Sequence, residues 1–238
     1  MTMGITAIWG PPRSGKTTLA IDMAFALSRH GQSVCLISPE LFSELSARLN
    51  LNITKQKSLF AACRSTGNPK QTVCPVDDLL FVLAAPTYTD AFSEDVTGPE
   101  AKALFAQTVP MFDSVLVDCP SHTGSAIAAW ALNQADTVVL LTGFSSAAAL
   151  WHNAYRRAAE AVAQRSLPVC VQGSDSFDYR SLHNLIHTDP AVWLPNYPDA
   201  ETVQALRRTL YESGGKTGRS YTAAVDELCS RLKGGARK

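Results

Sequence analysis

The chain has no Cys-x-x-Cys pair, no apolar run long and uncharged enough to cross a bilayer, no basic residue in its first six positions and no excess of charge of either sign. Each absence excludes something. Zinc and iron–sulfur sites need clustered ligands. The six cysteines (Cys35, Cys63, Cys74, Cys119, Cys170 and Cys229) are scattered, and Cys35, Cys119 and Cys170 lie in apolar strand-like runs, so they read as buried thiols. His183 and His187 stand four apart on a helix-like stretch without a third ligand, and a solvated helix face is the plainer reading. The lack of a basic n-region argues against a signal peptide and, with no membrane span, for the cytoplasm. A formal net charge of zero removes any global electrostatic case for nucleic acid and leaves local patches open. Hydrophobic content of 46% against 18% charged is ample for a core on both sides of a sheet. No linker interrupts the pattern, which reads as a single domain over 1–238.

What the chain does contain begins with Gly10-Pro11-Pro12-Arg13-Ser14-Gly15-Lys16-Thr17, a match to G-x-x-x-x-G-K-[ST]. A strand-like run, Ile5 to Trp9, precedes it, and Thr18 opens a helical pattern over 18–30 with Leu19, Met23, Ala26 and Leu27 on one stripe. Strand, glycine loop and helix together make a phosphate-binding loop, since glycines let successive N–H groups turn toward a polyphosphate at the positive end of a helix. Lys16 then reaches the β- and γ-phosphates and the Thr17 hydroxyl holds magnesium. The bland alternative is a tight glycine turn that binds nothing.

Further along, apolar strands are expected at 33–38, 79–84, 112–117, 137–142, 167–172 and 191–194. Helices are expected at 41–49, 59–64, 100–108, 125–132, 147–164, 179–187, 199–211 and 221–232, with loops at 65–72 and 86–99 and a glycine-bearing turn at 213–218. This is an α/β rhythm: a doubly wound, mostly parallel sheet of about seven strands with helices on both faces, the P-loop NTPase pattern. Asp118 follows an apolar strand, so it falls at the carboxyl edge where the phosphate loop also lies. There it reads as a second magnesium contact, the plainer alternative being a helix-capping Asp.

The stretches WGPPRSGKTTLAIDMAFALSRHGQSVCLI, FDSVLVDCPSHTGSAIAAWALNQADTVVLLT, WLPNYPDAETVQALRRTLYESGG and SYTAAVDELCSRL resemble the MinD/ParA family of phosphate-loop ATPases, nearly end to end. The resemblance implies ATP and Mg2+ as cofactors. It places Gly10, Pro11, Pro12, Arg13, Ser14, Gly15, Lys16, Thr17 and Thr18 around the phosphates, Thr17 on the metal and Asp118 on the metal through water, Glu40 on the attacking water, and Gln172, Pro195 and Asn196 beside adenine. Three positions depart from the family pattern. Pro11 stands where a lysine usually reaches across an ATP-bound dimer, leaving Arg13 as the other loop cation, while Ser38 and Glu40 replace two Asp residues.

The leading expectation is therefore an ATP-binding, slowly hydrolysing switch that dimerises on nucleotide and positions a cargo, its protein partner unassigned. The alternatives are a non-hydrolysing nucleotide-binding scaffold and a dethiobiotin-synthetase-like ligase. The segment 201–238 holds eight basic residues, from Arg207 and Arg208 to Arg237 and Lys238, against four acidic ones, a local charge of +4. By charge patterning this is a solvated face; by the family resemblance it is a sequence-independent DNA contact through Arg207 and Arg208.

Overall fold

The computed structural model describes residues 4–64, 71–89 and 95–235. Its frame is one eight-stranded sheet: β1 Ile5–Trp9, β2 Val34–Ile37, β3 Cys74–Pro75, β4 Leu80–Leu83, β5 Ser114–Asp118, β6 Thr137–Leu141, β7 Ser166–Val171 and β8 Val192–Leu194, in the order β3-β4-β2-β5-β1-β6-β7-β8. Every pairing is parallel except β3 with β4. All seven expected strands are present. β3 is an addition that the sequence does not announce, because two residues ending in Pro75 carry no periodicity and an edge position is where proline is tolerated.

The central strands are apolar throughout because helices cover both faces. Alternation divides β1 between two cores. Ile8 joins Leu36, Leu116, Val139 and Val169 under α1 (Lys16–Arg29) and α10 (Gly215–Gly235), where Leu19, Met23, Leu27, Tyr221, Val225 and Leu228 pack. Ala7 and Trp9 face the other way, joining Cys35, Ile37, Val115, Val117 and Leu140 against α4 (Gly98–Thr108), α5 (Ala126–Gln134) and α6 (Ser146–Ala154). All six cysteines are free and buried. Burial pushes the thiols of Cys35, Cys119 and Cys170 upward in pKa, so they are inert.

The remaining helices are α2 Leu45–Arg48, α3 Leu59–Arg64, α7 Arg156–Val162, α8 Tyr179–Ile186 and α9 Ala200–Ala205. Several expected boundaries are corrected. The helix expected over 41–49 is only α2. The long helix over 147–164 is broken at Tyr155 (φ −99°, ψ 14°), whose ring packs on Trp9 and Trp151 at centroid distances of 5.8 and 4.9 Å. The turn at 213–218 is absorbed into α10 from Gly215 onward. The helix over 199–211 stops at Ala205, and Arg207 follows in the left-handed region at φ 56°. The loop expected at 65–72 lies outside the described residues over 65–70, as does 90–94 of the loop at 86–99. His183 is not on a solvated face: it is buried between Tyr179 and Trp193, with Nε2 3.3 Å from Thr142 Oγ1.

Candidate nucleotide site

In β1 and β5 Ile8 pairs with Asp118, and in β2 and β5 Ile37 pairs with Val117, so three strands end level with one another. The loop after β1, the segment after β2 and Asp118 are thereby brought to one edge of the sheet, beside the strand where chain order reverses. Gly10 leaves β1 in close contact with β6, since a Cβ there would stand 2.9 Å from the Leu141 Cβ and carbonyl oxygen. Gly15 ends the loop at φ 89°, a conformation that only glycine adopts freely. α1 starts at the next residue without a side-chain cap, which leaves its first N–H groups open to an anion.

Lys16 is buried, and its Nζ donates to the Pro11 carbonyl at 2.9 Å and to Ser121 Oγ at 2.7 Å. Burial lowers its pKa, while Asp118 and Glu40 act in the opposite direction. Thr17 Oγ1 donates to Asp118 Oδ2 at 2.8 Å. Asp118 is 3% exposed, and burial pushes its pKa up to about 7, with the Thr17 hydrogen bond lowering it and the Glu40 charge raising it. Ser14 Oγ donates to the Pro11 carbonyl at 2.8 Å.

Together these groups stand at one end of a cavity of about 940 Å³. Pro12, Arg13, Ser14, Gly15, Lys16, Thr17, Thr18 and Glu40 line it, and so do Gln172, Pro195 and Asn196 from the far strands. Gly10, Pro11 and Asp118 are not part of that lining, and Asp118 is joined to it through the Thr17 hydroxyl. Arg13 is exposed at φ 56°. Ser38 is buried with no hydrogen-bond partner for Oγ, and half-buried Glu40 follows two residues later. Residues the sequence reading did not single out also reach the wall, among them Glu44, Arg48, Ser121, Gln204 and Tyr221. An Arg at the end of a four-residue helix and the Glu just before that helix give no periodic signal of a pocket.

The donor set fits a magnesium–nucleotide. Lys16 is a buried cation bonded only to neutral oxygens, which is the electrostatic deficit a phosphate would fill. Thr17 and Asp118 offer hard oxygen ligands suited to Mg2+. Among the described residues no group of three His, Cys, Asp or Glu side chains converges on a metal position. A magnesium ion at Thr17 and Asp118 would take its remaining ligands from phosphate and water.

A mostly parallel sheet with a glycine loop opening a helix at its reversal point defines a P-loop NTPase fold. No protein-family model matches the chain. The septum site-determining protein MinD of Thermotoga maritima is 24% identical over 108 residues, covering 45% of this chain. The match spans 40% of that protein's length. MinD of Pyrococcus horikoshii, solved with Mg-ADP, superposes with a TM-score of 0.77 at 15% identity, over 99% of each chain. A ParA family ATPase from Chlorobium tepidum superposes at 0.76 with 14% identity, over 96% of this chain and 99% of that one. A plasmid partition protein from Borrelia burgdorferi bound to AMPPNP does so at 0.72 with 13% identity, over 96% and 99%. The chain therefore has the fold of the MinD/ParA ATPases.

Proposed function

We propose that this protein is a magnesium- and ATP-binding switch of the MinD/ParA kind, hydrolysing slowly and positioning a cargo through nucleotide-dependent pairing of two copies. The observation that carries the reading is the Thr17–Asp118 contact next to Lys16, with Thr17 and Lys16 lining the 940 Å³ cavity. Lys16 exchanges Pro11 and Ser121 for phosphate, and because Ser121 lies in the segment after β5, that exchange frees the segment to respond to nucleotide. Gln172 and Asn196 meet the base. Glu40 holds the attacking water; its charge is felt by both Lys16 and Asp118. A bound magnesium ion would supply neutralisation of the charge developing on the β- and γ-phosphate oxygens. Exposed Phe42 and Tyr88, 73% and 85% accessible, lie beside the segment that carries Glu40 and suit a surface covered when copies pair.

The test combines ATP turnover with light-scattering mass measurement. Turnover should be slow, magnesium-dependent and lowered at least about tenfold by Glu40→Ala, with ATP affinity retained. ATP but not ADP should double the mass. Full turnover in Glu40→Ala would remove Glu40 from the mechanism. Tight ATP binding without any turnover would favour the scaffold reading, for which Pro11 in place of a cation and the unpartnered Ser38 hydroxyl are the supporting features.

The reading extends to a weak DNA contact through Arg207 and Arg208. Both are exposed beyond the end of α9, with Arg207 donating to Asn50 Oδ1, and Lys216 and Arg219 are exposed on α10. Glu212 is engaged by Arg29 and Glu227 by Arg231, which leaves fewer free acids beside the basic groups. Arg237 and Lys238 lie outside the described residues. Changing Arg207 and Arg208 together to Glu should abolish binding to duplex DNA at low salt in anisotropy titrations with ATP. Wild type should show a steep fall with salt. No binding by wild type would discard DNA and leave a protein partner.

A further inference from the structure

Thr18 stands one residue beyond the hydroxyl that meets Asp118. Its Oγ1 accepts two side-chain hydrogen bonds from two different helices, from Arg48 Nη1 of α2 at 3.0 Å and from Gln204 Nε2 of α9 at 3.3 Å. All three residues line the cavity. The Arg48 side chain is only 13% exposed. A guanidinium has five N–H donors. Thr18 takes one of them, and the nearest carboxylate oxygen, Glu44 Oε2, is 3.9 Å away, beyond hydrogen-bond length. Asp22 lies behind Arg48 and attracts it, yet its two oxygens are occupied by the Tyr211 N–H at 3.1 Å and the Tyr221 hydroxyl at 2.9 Å. Burial lowers the proton affinity of Arg48, against the pull of Asp22 and Glu44.

A largely buried guanidinium with uncommitted donors, facing a polar cavity at the first turn of α1, is built for an anion. Position along the helix identifies which one. Lys16 and Thr17, with Asp118 bonded to Thr17, supply the metal and terminal-phosphate groups, whereas Thr18 is one residue further into α1 and is bonded to Gln204 of α9, the helix that follows the segment carrying Pro195 and Asn196. We propose that Arg48 contacts the α-phosphate of a bound nucleoside di- or triphosphate from within the same chain, and that Gln204 of α9 closes on the same group. This rests on the nucleotide-binding reading. It adds a cation from the same subunit to a loop in which Pro11 contributes none.

The experiment is calorimetry of wild type, Arg48→Gln and Arg48→Lys with ATP, ADP and the Rp and Sp diastereomers of ATPαS, alongside thermal melts. Arg48→Gln should weaken ATP and ADP by the same factor, at least about tenfold, and should shift the Rp-to-Sp affinity ratio. Arg48→Lys should recover part of both effects, because it restores the charge without the planar fork. Unchanged affinities in Arg48→Gln overturn the proposal, as does a loss confined to ATP, which would put Arg48 on the γ-phosphate. A uniform loss for all four ligands, with the diastereomer ratio held in both variants, also overturns it and leaves Arg48 a structural residue. A wild type that binds neither ATP nor ADP overturns the nucleotide reading itself, a result distinct from these.

Discussion

Lys16→Ala is expected to weaken ATP and ADP at least about 100-fold. The ammonium is buried, bonded to the Pro11 carbonyl and the Ser121 hydroxyl, and has no carboxylate among its hydrogen-bond partners. A phosphate oxygen would give it its first charged hydrogen-bond partner, and a hydrogen bond to a charged group is worth about 1.5–3 kcal/mol. Two such bonds, discounted for the neutral ones they replace, come to about 3 kcal/mol, or roughly two orders of magnitude in affinity. Thr17→Ala should behave differently, because it removes a metal ligand: ATP should still bind, with little of the strengthening that magnesium gives wild type. Calorimetry with magnesium and with a chelator separates the two variants. Equal affinity in Lys16→Ala and wild type would take Lys16 out of the site. A thermal melt matching wild type shows that the fold is intact.

Lys16, Thr17 and Asp118 were legible in the sequence for separate reasons: a spaced glycine motif between a strand and a helix, and an acid where a run of apolar residues ends. Gln172, Pro195 and Asn196 came only with the family resemblance, and the structure sets them along the same cavity. Arg48 was not legible, since α2 spans four residues and shows no stripe that would place a cation inward. The break at Tyr155 was hidden because 147–164 has continuous helical propensity. It is packing of that ring on Trp9 and Trp151, a tertiary effect, that divides the helix. His183 misled because its four-residue spacing from His187 suggests a shared face, whereas His187 is the left-handed cap that ends α8, at φ 50°. Asp22 left a trace: a carboxylate amid the apolar residues of AIDMAFAL is either paired or out of place.

Asp22→Asn is expected to stabilise the protein above pH 6 by up to about 3 kcal/mol. Asp22 is completely buried in α1, and burial pushes its pKa up from 3.8 to about 6, although the Tyr211 N–H, the Tyr221 hydroxyl and the Arg48 charge all act to lower it. The folded state therefore holds this proton more tightly than the unfolded chain does. The group's favourable contribution is complete below about pH 4 and is lost as pH rises through 6. Above that the ionised carboxylate is a burden of about two pKa units, or about 3 kcal/mol. An Asn of the same shape removes the charge while its carbonyl still accepts from Tyr211 and its amide faces the Tyr221 hydroxyl. For a chain of this length the melting temperature should rise by roughly 5–10 °C at pH 8, and the gap should close between pH 6 and 4. A gap of constant size across that range would show that Asp22 does not titrate there. A variant less stable than wild type at pH 8 would mean that Arg48 holds the carboxylate charged at a net gain, making the two an ion pair whose rupture leaves a cation stranded. The two sites are linked, since the charge of Asp22 helps to keep Arg48 over Thr18. Asp22→Asn should accordingly give up nucleotide affinity, by less than Arg48→Gln does, in return for its stability.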